Sequence, residues 1–134
     1  MILYLLDTNA VSDLVRNPQG QVAQQYSLRA EDAATSIIVA AELRYGAERR
    51  GSLKLRVQLD AVLAHLPALP FDTPADFAYA QIRSALERTG STISANDLLI
   101  AAHALALDCI LVTDNEREFS LVPGLRVENW LRPG

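Results

Sequence analysis

The stretch Ile2-Leu3-Tyr4-Leu5-Leu6-Asp7-Thr8-Asn9 sets five apolar residues directly against three short polar ones. An unbroken apolar run of this kind reads as a strand covered on both faces, the pattern of a parallel sheet clothed by helices. Asp7-Thr8-Asn9 then ends the strand and offers side-chain oxygens to the first backbone N–H groups of a helix from Ala10 to Val15. A strand that passes through an acid into a helix is the repeating step of an α/β fold.

Working outward, Asn17-Pro18 breaks that helix and a second runs from about Gln19 to Arg29. Ala33 to Thr35 reads as a short strand, and Ser36 caps a helix from Ile37 to Arg49 that stops at Gly51. Ser52 to Leu66 is a further helix and Ala68 to Pro70 a brief extended stretch. Thr73-Pro74-Ala75-Asp76 opens a long helix, with proline in its first turn and a capping box, closed at Gly90. Ser94 begins a helix to Leu107. Cys109 to Val112 is the clearest second buried strand, and Leu125 to Val127, after the turn Pro123-Gly124, the last. The pattern predicts one α/β domain over residues 1–134, with a short, mostly parallel central sheet surrounded by helices.

Composition bounds the function. The chain has 134 residues, 12 basic and 16 acidic side chains and a net charge of -4, with half its residues apolar. That is enough chain to bury a core unaided. Its longest uncharged apolar run in the interior, Leu98 to Leu107, is ten residues and falls well short of the ~18 to 20 that span a bilayer. No basic flank precedes Ile2, so a cytoplasmic protein is expected. With Cys109 as the one cysteine and only His65 and His103 beside it, a sulfur and imidazole zinc site is disfavoured, and a metal would be held by oxygen. The net acidity on its face argues against a nucleic-acid partner. The mean hides an opposite patch, because Arg44, Arg49, Arg50, Lys54 and Arg56 face a single acid, Glu48, within 13 residues. Such a patch either contacts RNA phosphates or forms solvated helix faces.

Four acids stand where the local pattern asks for something else. Asp7 lies at a strand's carboxyl end, where open α/β sheets place their ligands, although strand-end aspartates also form turns. On a helical wheel Arg44 and Glu48 form an i,i+4 pair on one side, whereas Glu42 points about 140° away, among Ile38, Val39, Tyr45 and Gly46. A carboxylate there needs a partner, either a metal or a buried ion pair with Arg49. Asp97 sits in the first turn of a helix apolar almost all round, either as a site acid or as the third residue of the capping box Ser94-Ala95-Asn96-Asp97. Asp114 again follows a strand, with Asn115 placed to cap a short helix from Glu116 to Phe119. His103 reads as a hydrogen-bonded histidine in preference to a ligand.

In a parallel sheet, strand ends and helix starts share one edge, so Asp7, Asp97 and Asp114 converge there and Glu42 projects towards them. Clustered carboxylates repel, and a divalent cation relieves the repulsion; an all-oxygen set suits Mg²⁺, with Mn²⁺ as a substitute. Such an ion is typically completed by substrate phosphates, which makes a metal-dependent nuclease, using metal-activated water, the leading enzymatic reading. A histidine pair acting as acid and base is poorly supplied by His65 and His103. No phosphate-binding glycine loop is present, Asp7-Thr8-Asn9 lacks the second aspartate of an aspartyl-phosphatase, and the sole lysine, Lys54, is too early for a phosphoacceptor receiver domain.

The same residues carry a resemblance. Leu5-Leu6-Asp7-Thr8-Asn9 with Ser12, Ser36-Ile37-Ile38-Val39-Ala40-Ala41-Glu42-Leu43-Arg44-Tyr45-Gly46-Ala47, Asn96-Asp97-Leu98-Leu99-Ile100-Ala101-Ala102-His103-Ala104, and Leu111-Val112-Thr113-Asp114-Asn115-Glu116-Arg117-Glu118-Phe119 through Val122-Pro123-Gly124-Leu125-Arg126-Val127-Glu128-Asn129-Trp130 closely resemble PIN-domain toxins of the VapC type, in order and over the whole chain. The resemblance implies a three-layer PIN-like fold and a Mg²⁺-dependent endoribonuclease, the toxin of a type II toxin-antitoxin pair. Its acidic site matches Asp7, Glu42 and Asp97, with Asp7 and Asp97 as metal ligands. It also implies a homodimer, inhibited by a small VapB-like antitoxin whose C-terminal segment lies across the cleft and offers an arginine to the acids. Relatives with a fourth acid often carry it where this chain has Asn115, and Asp114 is taken as that acid; Thr8 and Ser12 are expected to support the site, as is Asn115. Two other readings share the acids: a non-catalytic module that binds a partner's basic tail, and a metal nuclease directed at DNA.

Overall fold

The computed structural model describes Met1–Arg132, so the expectation of one domain reaches two residues beyond the described chain. Five strands form one sheet in the order β3-β2-β1-β4-β5, every pairing parallel. They are β1 (Tyr4–Leu6), β2 (Ala33–Ser36), β3 (Ala68–Leu69), β4 (Ile110–Val112) and β5 (Val127–Glu128). The helices are α1 (Thr8–Arg16), α2 (Gln21–Arg29), α3 (Ile37–Arg50), α4 (Leu53–Leu63), α5 (Ala75–Arg88), α6 (Ala95–Ala106) and α7 (Glu116–Phe119). The α/β expectation is met by a five-stranded parallel sheet clothed by seven helices, and the opening stretch occupies its centre.

β1 has a strand on each side, with Leu6 in register with both Thr35 and Val112. Leu5, Leu6, Leu111 and Val112 are wholly buried, as strands covered on both faces require. Ile100 and Ala101 of α6, Val11 of α1 and Phe119 of α7 close over them, also without exposure. Each such leucine, valine or phenylalanine contributes roughly 1.5–3 kcal/mol on burial. The register brings the ends of β1, β2 and β4 to one level, so Asp7, Ser36 and Thr113 share one edge of the sheet.

Most boundaries shift by one or two residues from the sequence reading, as α1 does in starting at Thr8, and three shifts have a local cause. The last strand is Val127–Glu128, not Leu125 to Val127, because the turn at Gly124 (φ +79°) is followed by a further bond from Leu125 N–H to the Val122 carbonyl before pairing begins. Pro74 precedes α5 instead of opening it, and no capping box forms. A turn closed by Ala75 N–H on the Asp72 carbonyl (2.8 Å) leaves Pro74 outside helical geometry, at φ -94° and ψ 22°. The helix after Ser52 ends at Leu63, and the chain turns through His65 to bury Leu66. Elsewhere the caps stand where the sequence puts them: Ser36, Ser52 and Ser94 accept the N–H groups of Ile38, Leu55 and Asp97.

Candidate active site

Asp7 is 3 % exposed, at the point where β1 becomes α1. One carboxylate oxygen accepts the Thr8 N–H at 2.7 Å and the other the Thr113 hydroxyl at 2.8 Å. Burial pushes its pKa above the usual carboxylate value. The two hydrogen bonds oppose that rise, and the charges of Glu42 and Glu118 add to it. The Thr8 hydroxyl donates to Glu42 Oε1 at 3.0 Å, so one residue ties Asp7 by its backbone and Glu42 by its side chain. The half-buried Glu42 has this hydroxyl as its partner, not Arg49, and the presumed Arg44–Glu48 pair is absent. Arg44 meets Asp60 on α4 at 2.9 Å, and Glu48 meets Arg56 at 3.5 Å.

Asp97 occupies the first turn of α6. Its N–H caps on Ser94 Oγ at 3.3 Å, but the reciprocal half of the capping box is not made: the Ser94 N–H donates to Glu118 Oε1 at 3.1 Å. The Asp97 carboxylate therefore belongs to the cleft. Burial, then the charges of Asp7 and Glu118, push its pKa up to about 7. Three acids, Asp7 at the end of β1, Asp97 of α6 and Glu118 of α7, thus feel one another across one cleft, with Glu42 of α3 acting on Asp7 as well.

The carboxylate that faces Asp7 and Asp97 from beyond β4 is that of Glu118, not that of Asp114. Asp114 turns its carboxylate away, to accept Asn129 Nδ2 at 3.0 Å and Arg132 Nε at 2.9 Å, which hold its pKa below the usual range. Only its backbone reaches the site, as a donor to Asn9 Oδ1 at 2.9 Å. Asn115 serves indirectly, because its side-chain amide donates to Glu118 and helps aim it. Ser12 lines an apolar groove of about 180 Å³ beside Glu42, with Val15, Leu43, Leu55, Arg16 and Arg50 around it.

Glu118, Thr113 and Asn9 also stand at this cleft, and the sequence reading did not single them out as candidates. Asn9 stitches α1 to the end of β4, its amide N–H reaching Thr113 Oγ1 at 3.2 Å and its carbonyl taking the Asp114 N–H. The signal for Glu118 was present: Asn115-x-x-Glu118 has the spacing of a helix cap and its third residue.

The donor set fits a hard divalent cation. It is all carboxylate oxygen, with Cys109 and His103 buried elsewhere; burial first and mutual repulsion second raise the pKa values of Asp7 and Asp97, and a cation relieves the repulsion. Among the described residues no three acidic, histidine or cysteine side chains close on a common point. A divalent ion held here would take one or two carboxylates and fill its sphere with water or phosphate.

His103 lies outside the cleft, 2 % exposed, with Nδ1 2.8 Å from Ser36 Oγ and its ring edge-on to Phe71. Burial lowers its pKa; the nearby Pro70 carbonyl and Asp72 act the other way and do not offset it. A histidine kept neutral in the fold binds fewer protons than in the unfolded chain, so its contribution to stability is present above about pH 6.5 and is lost as pH falls through the folded value. Asp97, with its raised pKa, acts in the opposite sense between pH 7 and pH 5 but is common to both proteins, so the melting temperature of His103→Asn, which has no such proton to gain, should rise relative to that of the native chain as pH falls over this range. Equal slopes would remove His103 as the cause.

Residues 4–125 match the PIN domain family model. Ribonuclease VapC2 of Rickettsia felis is 36% identical over 132 residues, covering 96% of this chain and 98% of that protein. The tRNA(fMet)-specific endonuclease VapC of Salmonella typhimurium is 32% identical, covering 97% and 99%. Among solved structures, VapBC2 of Rickettsia felis bound to a DNA fragment from its promoter superposes with a TM-score of 0.89 at 36% identity, over 96% of this chain and 99% of that one. A family model spanning nearly the whole chain, relatives that share its length and the parallel sheet with acids at one edge agree: the chain belongs to the PIN domain family.

Proposed function

We propose that this protein is a divalent-metal endoribonuclease, the toxin of a VapBC-like type II toxin-antitoxin pair. The observation that carries the reading is the acidic cleft, in which Asp7, Asp97, Glu118 and Glu42 meet at one sheet edge, in a chain similar over its full length to VapC ribonucleases. Asp7 and Asp97 are the ligands assigned to the ion, Mg²⁺ with Mn²⁺ as a substitute. When bound, the ion supplies a polarised phosphate and an activated water. The chain's own residues hold the reacting groups: Thr113 and Thr8 fix both oxygens of Asp7, Thr8 also holds Glu42, and Ser94 with Asn115 fixes Glu118. Asp114 serves through its backbone.

The partners follow from the neighbours, which are complexes of VapC with VapB-type antitoxins. A VapB-like antitoxin that lays a cationic side chain over the cleft would satisfy the same carboxylates as the metal. Exposed Ile37 and Tyr45, two turns apart on one face of α3, support pairing with a second copy of the chain. Among the described residues no helix is long and apolar enough to cross a membrane, and we assign the protein to the cytoplasm, where its one cysteine stays reduced. Of the basic patch, Arg49, Arg50 and Lys54 form no ion pair among the described residues and are left for RNA phosphates.

Cleavage of a pool of structured RNAs, with Mg²⁺ and with EDTA, and against matched DNA, tests the reading. Mg²⁺-dependent cleavage of RNA supports it; cleavage of DNA alone favours the DNA-directed alternative, and no cleavage with retained growth arrest in an Asp97→Ala strain favours a binding module. Mn²⁺ should also raise the melting temperature. Asp97→Asn should stabilise the metal-free fold by about 1 kcal/mol, a value that allows for solvent screening at this half-exposed group, and should abolish the Mn²⁺ shift. A lower metal-free melting temperature in that variant would point to a capping role instead.

A further inference from the structure

Among the described residues His103 and Cys109 are the buried titratable side chains that the cleft does not use, and His103 is the one hydrogen-bonded to another side chain. Its partner Ser36 is also wholly buried and already accepts the Ile38 N–H at 3.0 Å. The Ser36 proton has no other acceptor among the described residues, so it points at Nδ1, 2.8 Å away, and the imidazole proton sits on Nε2. Nε2 completes no hydrogen bond, the Pro70 carbonyl near the ring being its closest approach to an acceptor. An apolar side chain would fill this space without leaving a buried N–H unpaired, so the useful half of the imidazole is the acceptor turned to Ser36.

That bond joins the two helices that carry the remote acids. Ser36 caps α3, and Glu42 follows it by six residues; His103 is on α6, and Asp97 precedes it by six. Among the described residues it is the one side-chain hydrogen bond between α6 and α3 with its cap. The residue before Ser36, Thr35, donates to the Leu6 carbonyl at 2.6 Å, immediately before Asp7. A single buried link therefore sets α6 against α3 and the end of β1, the three elements that bring Asp97, Glu42 and Asp7 to one edge.

We propose that His103 is a positioning residue for the acidic cleft: through Ser36 it fixes the spacing of Glu42 and Asp7 from Asp97. This rests on the nuclease reading above, so the test has a readout apart from cleavage. Mn²⁺ binding, followed by electron paramagnetic resonance, and RNA cleavage are compared for the full chain, His103→Leu and His103→Asn, with folding checked by circular dichroism at 20 °C. The leucine fills the space but accepts no hydrogen bond, whereas the asparagine carbonyl can stand where Nδ1 stands.

His103→Leu should bind Mn²⁺ about tenfold more weakly, at the low end for residues that orient metal ligands, and lose a similar factor in kcat with KM for RNA unchanged. His103→Asn should recover both to within about threefold on the same scale. If the leucine variant does not fold, Ser36→Gly removes the same bond while keeping a residue tolerated at a helix cap, and carries the same expectation. A folded His103→Leu or Ser36→Gly with unchanged Mn²⁺ affinity overturns the proposal, as does equal impairment of the leucine and asparagine variants, which would mean packing alone. If the native chain cleaves no RNA, the nuclease reading fails while the Mn²⁺ comparison still decides this one.

Discussion

Asp7→Asn is expected to lower RNA cleavage by more than about 100-fold, beyond the 10–100-fold typical of changes to outer partners of a metal ligand, without lowering the metal-free melting temperature. The two halves have one cause. Asp7 is almost fully buried, and burial with the charges of Glu42 and Glu118 already disfavours its ionised form. Asparagine removes the charge that opposes folding and keeps an oxygen for the Thr8 N–H, which offsets the acceptor it takes from the Thr113 hydroxyl. It also removes the negative oxygen that a divalent cation takes, and turns a donor towards a site built for acceptors. Initial rates of cleavage in Mg²⁺ and thermal melts in EDTA check the two halves separately. Cleavage within threefold of the native rate would mean that Asp7 is a capping residue only.

The second large effect belongs to a residue with no charge. Thr113 is wholly buried, and its hydroxyl donates to Asp7 at 2.8 Å while accepting from Asn9 Nδ2 at 3.2 Å and the Asn115 N–H at 3.0 Å. Valine has nearly the same shape, so Thr113→Val isolates the oxygen. It leaves two donors short of an acceptor and takes from Asp7 one of the bonds that keep it ionised. The expected cost is about 2–4 kcal/mol, since a hydrogen bond to a charged group contributes roughly 1.5–3 kcal/mol and an orphaned buried donor costs about 1–3. Urea denaturation should show a lower midpoint at an unchanged slope. Cleavage should fall about tenfold or more even where the protein is fully folded, and Thr113→Ser should restore both. A valine variant of native stability would show that water replaces the hydroxyl.

The two variants probe different levels of the same site. Asp7 meets the cation, whereas Thr113 joins the end of β4 to the end of β1 and the start of α7. Parallel neighbours in register place these ends side by side, so one hydroxyl serves all three. The acids on α3 and α6 arrive by helix caps at Ser36 and Ser94, each of which also makes a contact beyond its own helix. The caps are therefore joints between elements as well as ends of helices.

Much of this was open to reading in the chain. Unbroken apolar runs at Ile2 to Leu6 and Cys109 to Val112 mark strands covered on both faces, and the serines before Ile37 and Ala95 mark helix starts. These are local patterns, set by which side chains can share a face and which can meet a free N–H. They are enough to carry Asp7, Glu42 and Asp97 to one edge of the sheet. The direction of a carboxylate within a turn is not a local matter. Asp114 is drawn away by Arg132, 18 residues on, and Glu118 is aimed inward by the Ser94 N–H, 24 residues earlier. Partners so distant along the chain meet only after the sheet has closed. The sequence alone thus determined the parallel scaffold and marked Asp7, Glu42 and Asp97, whereas the tertiary structure decided that Glu118 and not Asp114 turns its carboxylate to Asp7 and Asp97, because that direction rests on hydrogen bonds between segments that no local pattern connects.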